Sequence, residues 1–513
     1  MTTTRIPSAE TAIEPGIGTR AARSGGAMFA AKGIRFFFIM LVNLILINLL
    51  VPADFGMVRY VLLVVGVANL LNEMGLTTAI VQRERLGRES LWSLAVICTG
   101  WGWLLYGGLF FLAVPLARFF GEPDLVPLLR VGALMIPIAG ISAVHRAWMR
   151  RTMQFGRLAL VEMSAAVLSA VVSVTMAVSG FGVWSIVAGY LVFEGCISGV
   201  LLVICRVQVT SLQSWKVLRP LLLFGMAIII ARIVDYILVN APFILIGKVI
   251  GKEGLGLFSV AHDLAIFPQM TINAVLSQVM LSTFSRIRSD GEKTATAFGR
   301  LQLFGIAGAL PLLLVMAVMP VELVRVISFL RSGDLWLEAA PLLRWLALMG
   351  IMYVATTFSN AVWLSQGKIR ESIGVSVTMC FTIIVAIVIG VRWGVEGICI
   401  ALLVRSVVVF PLYVFITYRL TGIDQKVYYT AVFPPIVAGV AMGGVLALLH
   451  RFVPGHDLPR NVGVLVAGGI GGSAVYAGLF YLFFRRSFLH ITGMALMLLP
   501  GALPQKKGES SER

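Results

Sequence analysis

The sequence predicts an all-α polytopic membrane protein of about fourteen transmembrane helices, built as two parallel six-helix repeats followed by two further helices. Three observations carry this expectation. Of 513 residues, 59% are hydrophobic and 13% charged, with a mean hydropathy of +0.94, against about 45–50% apolar and about 25% charged in soluble domains. Apolar runs recur at about 20 residues, the length a helix needs to cross the hydrocarbon core. The phrase PLLRVGAL at residues 127–134 also returns as PLLRWLAL at residues 341–348.

In order along the chain, the apolar runs place spans at 29–51, 57–81, 91–115, 127–148, 157–179, 182–204, 220–246, 255–283, 298–325, 339–364, 371–391, 395–417, 429–450 and 462–484. Weak strand alternation and the length of the runs exclude a membrane barrel. Residues 1–25, rich in Thr, Ser, Gly and Pro, and the final PQKKGESSER (504–513) read as polar disordered ends, the latter closing an expected cytoplasmic tail over 485–513. No short apolar core precedes a small-residue cleavage site near the N-terminus, so no cleavable signal peptide is expected.

Orientation follows from the basic residues, because cytoplasmic loops retain Lys and Arg. Clusters such as QRERLGR (82–88), HRAWMRR (145–151), SRIRSDGEK (285–293) and FRRS (484–487) put most of the 41 Lys and Arg on one side. Both termini are therefore expected in the cytoplasm. The net charge of +17 then reports topology and contact with anionic membrane lipids. It does not suggest nucleic acid, since the charge is scattered among loops. The five cysteines show no CxxC spacing and no companion His cluster, so they read as small apolar packing residues, and no metal or cofactor is expected.

The repeated phrase has company. DFGMVRY (54–60) faces GLGLFSV (254–260) 200 residues later, VP (114–115) faces MP (319–320), and GVWSIVAGYLV (182–192) faces GVEGICIALLV (394–404). Six spans separate each landmark from its partner, and an even number returns the chain to the same face, so the repeat is parallel. Two six-helix lobes about an axis along the membrane normal, with a path between them, is a transporter architecture. The expected organisation is an N-lobe over 26–204, a cytoplasmic linker over 205–219, a C-lobe over 220–418 and an added helix pair over 429–484.

A charge at the centre of an isolated spanning helix costs about 2.5–3.5 kcal/mol, so such residues usually face a cavity or a partner. Near mid-span lie Arg232, Asp235, Glu194 and Arg405, with His262 and Asp263 in the outer half of span 8 before Pro268. The offset of 200 lays Lys32 onto Arg232 and Arg35 onto Asp235. One reading pairs Arg232 with Asp235 at i and i+3, and Glu194 with Arg405, as structural ion pairs. The other lines a water-filled lumen with Lys32, Arg35, Arg232 and Arg405, leaving Asp235, Glu194, His262 and Asp263 as coupling or structural partners. Such a lumen suits an anionic substrate bearing phosphate.

The stretches VPADFGMVRYVLLVVGVANLLNEMGLTTAIVQRE (51–84) and NAPFILIGKVIGKEGLGLFSVAHDLAIFPQMTINAVLSQVMLSTFSRIRSD (240–290) resemble the polysaccharide transporter family, the Wzx-type oligosaccharide flippases of the MOP superfamily. The resemblance implies a bacterial inner-membrane protein that moves undecaprenyl-diphosphate-linked oligosaccharide between leaflets. Its implied partners are that substrate, membrane lipids and polysaccharide polymerase or assembly proteins. The chain departs from the family in having Pro242 where many relatives carry an acidic residue. A multidrug exporter of the same superfamily, or a membrane enzyme of glycan assembly, are the alternatives. No GK pair is followed by Ser or Thr, and no D-x-D appears, which disfavours a P-loop and a metal-dependent glycosyltransferase.

Overall fold

A computed structural model describes residues 38–73, 88–152, 154–205, 232–233, 236–237, 239–287, 290–329, 333–452 and 458–485. Among them the regular elements are all helical. In chain order they are α1 (Phe38–Leu49), α2 (Pro52–Glu73), α3 (Arg88–Phe120), α4 (Leu125–Gly132), α5 (Met135–Arg151), α6 (Phe155–Val178) and α7 (Val183–Cys205). Then come α8 (Val239–Val249), α9 (Lys252–Ile287), α10 (Gly291–Val318), α11 (Pro320–Ile327), α12 (Ala339–Ser365), α13 (Ile369–Gly390), α14 (Gly394–Thr421), α15 (Gln425–Phe452) and α16 (Leu458–Phe483). Eleven stretches are long and apolar enough to span a membrane among the described residues, one of them, Arg370–Thr421, holding both α13 and α14. The expected spans 29–51 and 220–246 are represented chiefly by α1 and α8; residues 29–37 of the first and most of 220–238 in the second, like residues 1–28 and the linker residues 206–219, lie outside the described residues.

Local chemistry explains where helices begin, end and break. Asp290 caps α10, its carboxylate accepting from the Lys293 amide at 3.0 Å, which satisfies a free N-terminal donor. Gly121 ends α3 at φ +77°, a left-handed conformation that glycine adopts without strain. The expected span 127–148 is broken into α4 and α5. Pro137 has no N–H to give the Ala133 carbonyl four residues back, and the Ile136 amide turns to that oxygen instead, at 3.0 Å. Its counterpart in the second copy of the phrase, α12, has no proline in that place and runs unbroken. The span expected over 298–325 likewise ends early, because Pro320 starts the separate short helix α11.

The helices fall into two groups by their packing. In the first, α6 packs on α7, α3 on α5 and α5 on α7; in the second, α9, α12 and α14 pack in sequence, with α10 against α12 and α15. The groups meet chiefly where α2 crosses α9. At this crossing a methyl group on Gly56 would overlap the Lys252 carbonyl oxygen, and one on Gly256 would overlap that of Pro52. The two contacts are reciprocal, each residue standing 200 positions from its counterpart, and only glycine lets the backbones come so close. A second reciprocal pair flanks them. Asn48 donates to the Ile327 carbonyl at 2.5 Å, and Lys248, 200 residues later, donates to the Phe119 carbonyl. Lys252 adds an ion pair to Glu122 at 3.0 Å, and Phe55 meets Trp336 edge-on at 5.3 Å. These contacts join the two groups at one end of the bundle, called here the Gly56 end.

Candidate functional site between the helix groups

One turn inward from Gly56, α2 presents Arg59. Its guanidinium donates from Nη2 to Asp263 Oδ1 at 2.9 Å and from Nε to Ser259 Oγ at 3.2 Å, while its carbon lies 4.0 Å from the Phe243 ring centroid. Arg59 thus ties α2 to α9 by charge and rests on α8 by cation–π attraction. The described hydrogen bonds and ion pair linking α2 to α9 all pass through this one residue. It lines a cavity of about 320 Å³ between the groups, together with Asn43, Tyr190, Ser259 and Asp263 in an otherwise apolar wall. The Asp263 side chain is 62% bare, and that surface faces the cavity it lines. His262, beside it, is 3.5 Å from Asp263 Oδ1 and packs against Phe243 and Phe258.

The other candidate residues are placed as follows. Lys32, Arg35 and Asp235 lie outside the described residues, so the i, i+3 pair expected between Arg232 and Asp235 is not visible. Arg232 instead approaches Glu73 at 3.6 Å, both half-exposed. Glu73 is 14 residues past Arg59 on α2, about 20 Å along the axis, so this pair sits toward the opposite end from Gly56. Glu194 pairs with Arg146 of α5 and not with Arg405. Arg405 turns away from the cavity that holds Arg59. Its Nε donates to Thr382 Oγ1 and its Nη2 to the Met379 carbonyl, both at 2.9 Å, at a groove of about 850 Å³ between α13 and α14. That groove is walled by exposed Phe381, Val404 and Val408, the character of a lipid-facing surface. Among the described residues, no group of three or more His, Cys, Asp or Glu could hold a metal.

Sequence reasoning passed over Arg59 because it falls only three residues into the expected span 57–81, where a basic residue reads as an interfacial anchor. The signal was present: the landmark alignment lays Arg59 on Ser259, the residue it bonds.

The Arg146–Glu194 pair is largely enclosed, with about a fifth of each side chain bare. Removing one partner of such a pair typically costs about 3–5 kcal/mol. Glu194→Gln is therefore expected to lower the steady-state amount of protein in membranes, read by immunoblot, and Arg146→Met combined with Glu194→Leu to restore most of it.

Helices of this length, two groups joined at one end and a charged cavity between them define a polytopic transporter fold. The chain belongs to the polysaccharide biosynthesis protein family, whose model matches residues 45–341, more than half its length. It is 26% identical over 477 residues to the succinoglycan biosynthesis transport protein ExoT of Rhizobium meliloti (strain 1021), covering 91% of this chain and 93% of that one. To the lipopolysaccharide biosynthesis protein WzxC of Escherichia coli (strain K12) it is 22% identical over 415 residues, covering 77% and 81%. Its fold matches lipid II flippase MurJ in an inward closed conformation with a TM-score of 0.70 at 13% identity, over 90% of this chain and 99% of that one. An inward-facing multidrug resistance MATE family transporter of the MOP superfamily follows at 0.61 and 16% identity, over 76% and 95%.

Proposed function

We propose that the chain flips undecaprenyl-diphosphate-linked oligosaccharide from the cytoplasmic to the periplasmic leaflet by alternating access between an N-lobe and a C-lobe, and that it is a transporter without enzymatic activity. The observation that carries this reading is Arg59, a cation held inside the cavity between the two helix groups by an aspartate that is itself largely bare. A diphosphate entering the cavity competes with Asp263 for the same guanidinium, which binds phosphate oxygens bidentately. Arg232, about 20 Å along α2, supplies a second cation on the way, and Lys32 and Arg35 complete the cationic lumen. The headgroup is thereby carried from one fixed charge to the next while the polyprenyl chain stays in lipid. An inside-negative potential adds about 2.3 kcal/mol per elementary charge per 100 mV in the outward direction.

The Gly56 end is the periplasmic one in this reading, because most of the Lys and Arg, including the clusters at 82–88, 145–151 and 285–293, fall at the other. The reciprocal glycine contacts then form the outer gate, shut in this state. The names of ExoT and WzxC, a transport protein and a biosynthesis protein of surface polysaccharides, and the fold shared with a lipid II flippase support the same assignment. Reporter fusions test the orientation: cytoplasmic signals are expected at residue 215 and after residue 485, and a periplasmic signal at either place would invert the gate. The substrate test is a deletion strain. Lipid-linked oligosaccharide is expected to accumulate on the cytoplasmic leaflet while its synthesis continues, and normal surface polysaccharide in a strain without a paralogue would overturn the assignment.

A further inference from the structure

The short helix α11 lies between the junction of the two groups and the added helix pair. Its Val324 and Ile327 share a small gap with Ile47 of α1 and Val260 of α9, and the Ile327 carbonyl accepts the Asn48 hydrogen bond that helps join the groups. From another face of the same helix Glu322 reaches α15, where His450 Nδ1 donates to Glu322 Oε1. The Glu322 side chain is only 11% bare and that of His450 47%, so the carboxylate is enclosed while the imidazole is half-open. Glu322 Oε2 is buried and has no hydrogen-bond partner among the described residues. The ion pair described for Glu322 is the one with His450. The elements around it carry Arg325 on α11, Arg451 beside His450, Arg344 on α12, Asp334 and Glu338 in the segment leading into α12, and Arg460 in the first turn of α16. Arg344 is directed to the Ala317 carbonyl at 3.3 Å, and the half of α10 that leads to α11 holds no charged or titratable side chain. His456 and Asp457 lie outside the described residues.

We infer that Glu322 and His450 form a proton-operated latch that holds α11 against the outer gate. The inference rests on the reading of the Gly56 end as that gate and is independent of the substrate. With one proton between them the pair is neutral overall, whether as imidazolium and carboxylate or as imidazole and carboxylic acid. A second proton, gained in acid, places its charge on the half-open imidazole, where water can solvate it. Loss of the shared proton in alkali has a different consequence. It leaves a negative charge on Glu322 in an enclosed site whose second oxygen is already unpartnered, and a buried charge without a partner is strongly unfavourable. Relief needs water at the carboxylate, and water enters only if α11 parts from α15. A shift of α11 strains the Ile327–Asn48 hydrogen bond on its other face, so the junction between the groups loosens. The sign follows: with the proton bound the gate is held shut, and with the proton lost it is released. Imidazole is the side chain that changes charge near physiological pH, and at this end of the bundle it reads the pH of the periplasm.

The test reads the gate as a distance. Val51→Cys and Leu335→Cys, at positions 43% and 55% exposed on opposite sides of the junction, carry nitroxide labels in a cysteine-free full chain in lipid nanodiscs, and pulsed electron paramagnetic resonance gives their separation. A single short distance is expected at about pH 6 and a second, longer one at about pH 9, the ratio of long to short rising by up to about tenfold per pH unit for release linked to one proton. Glu322→Gln removes the charge, and His450→Lys keeps a cation opposite the carboxylate at about pH 9. Each substitution is expected to abolish the shift and leave the short distance at both pH values. No shift with Glu322 and His450 intact, or a shift of the same size in both variants, overturns the latch. Gly56→Val separates that failure from failure of the gate. If it lengthens the distance where pH does not, the latch falls and the gate stands; if neither lengthens it, both fall.

Discussion

Arg59→Ala is expected to abolish export of surface polysaccharide in a complemented deletion strain while the protein remains near its normal amount. The two halves of this result have separate causes. Hydrogen bonds to charged groups are worth about 1.5–3 kcal/mol, so a lost guanidinium contact with the diphosphate weakens binding by about tenfold to more than a hundredfold. Stability is spared because the partner left behind, Asp263, is 62% bare to a cavity and can be hydrated once the cation is gone. Arg59→Lys keeps the charge but not the fork and should retain part of the activity. The double change Arg59→Ala with Asp263→Ala is expected to stay inactive. Its recovery would mean that Arg59 only neutralises Asp263 and touches no substrate. Immunoblots alongside export measurements distinguish these cases from a folding failure.

The second large effect is expected from Gly56→Val. The added side chain meets the backbone carbonyl of Lys252, not a flexible side-chain end, so α2 and α9 must part at that end. If this crossing is the shut outer gate, the variant holds the gate open. Ser259→Cys, placed in a cysteine-free background, should then react with a membrane-impermeant maleimide added from the periplasm in the Gly56→Val protein and stay protected without it. Export should fall, because a gate that cannot close cannot return to load. Protection in both proteins with export intact would remove the gate from the account. Gly256→Val, the reciprocal contact, is expected to behave in the same way.

The helices were legible in the sequence because hydrocarbon thickness imposes one length on every span, and composition alone reports it. Their interruptions were harder to read. Pro137 and Pro320 sit inside apolar runs that hydropathy treats as continuous, yet each lacks the amide that would carry the helix through. The site was less legible for a different reason. A mid-span charge signals that a partner exists but not on which side of the helix it waits, so Arg405 and Glu194 look alike in sequence, while Arg59, three residues into its expected span, does not stand out at all. The structure gives them different surroundings: a lipid-facing groove, an ion pair with Arg146 inside the first group, and the cavity between groups. The most useful clue was the offset of 200, which lays Gly56 on Gly256 and Arg59 on Ser259. These are positions where the chain touches its own counterpart; the aligned landmarks contain them, although alignment alone reports architecture and does not pick them out.

The most direct measurement reconstitutes the purified protein in liposomes and follows a fluorescent undecaprenyl-diphosphate-linked oligosaccharide from one leaflet to the other with a membrane-impermeant quencher. The account predicts flipping by the unaltered protein well above that of protein-free vesicles, and Arg59→Ala vesicles indistinguishable from empty ones. Equal translocation by the unaltered protein and Arg59→Ala, or none by either while both bind the substrate, would contradict it.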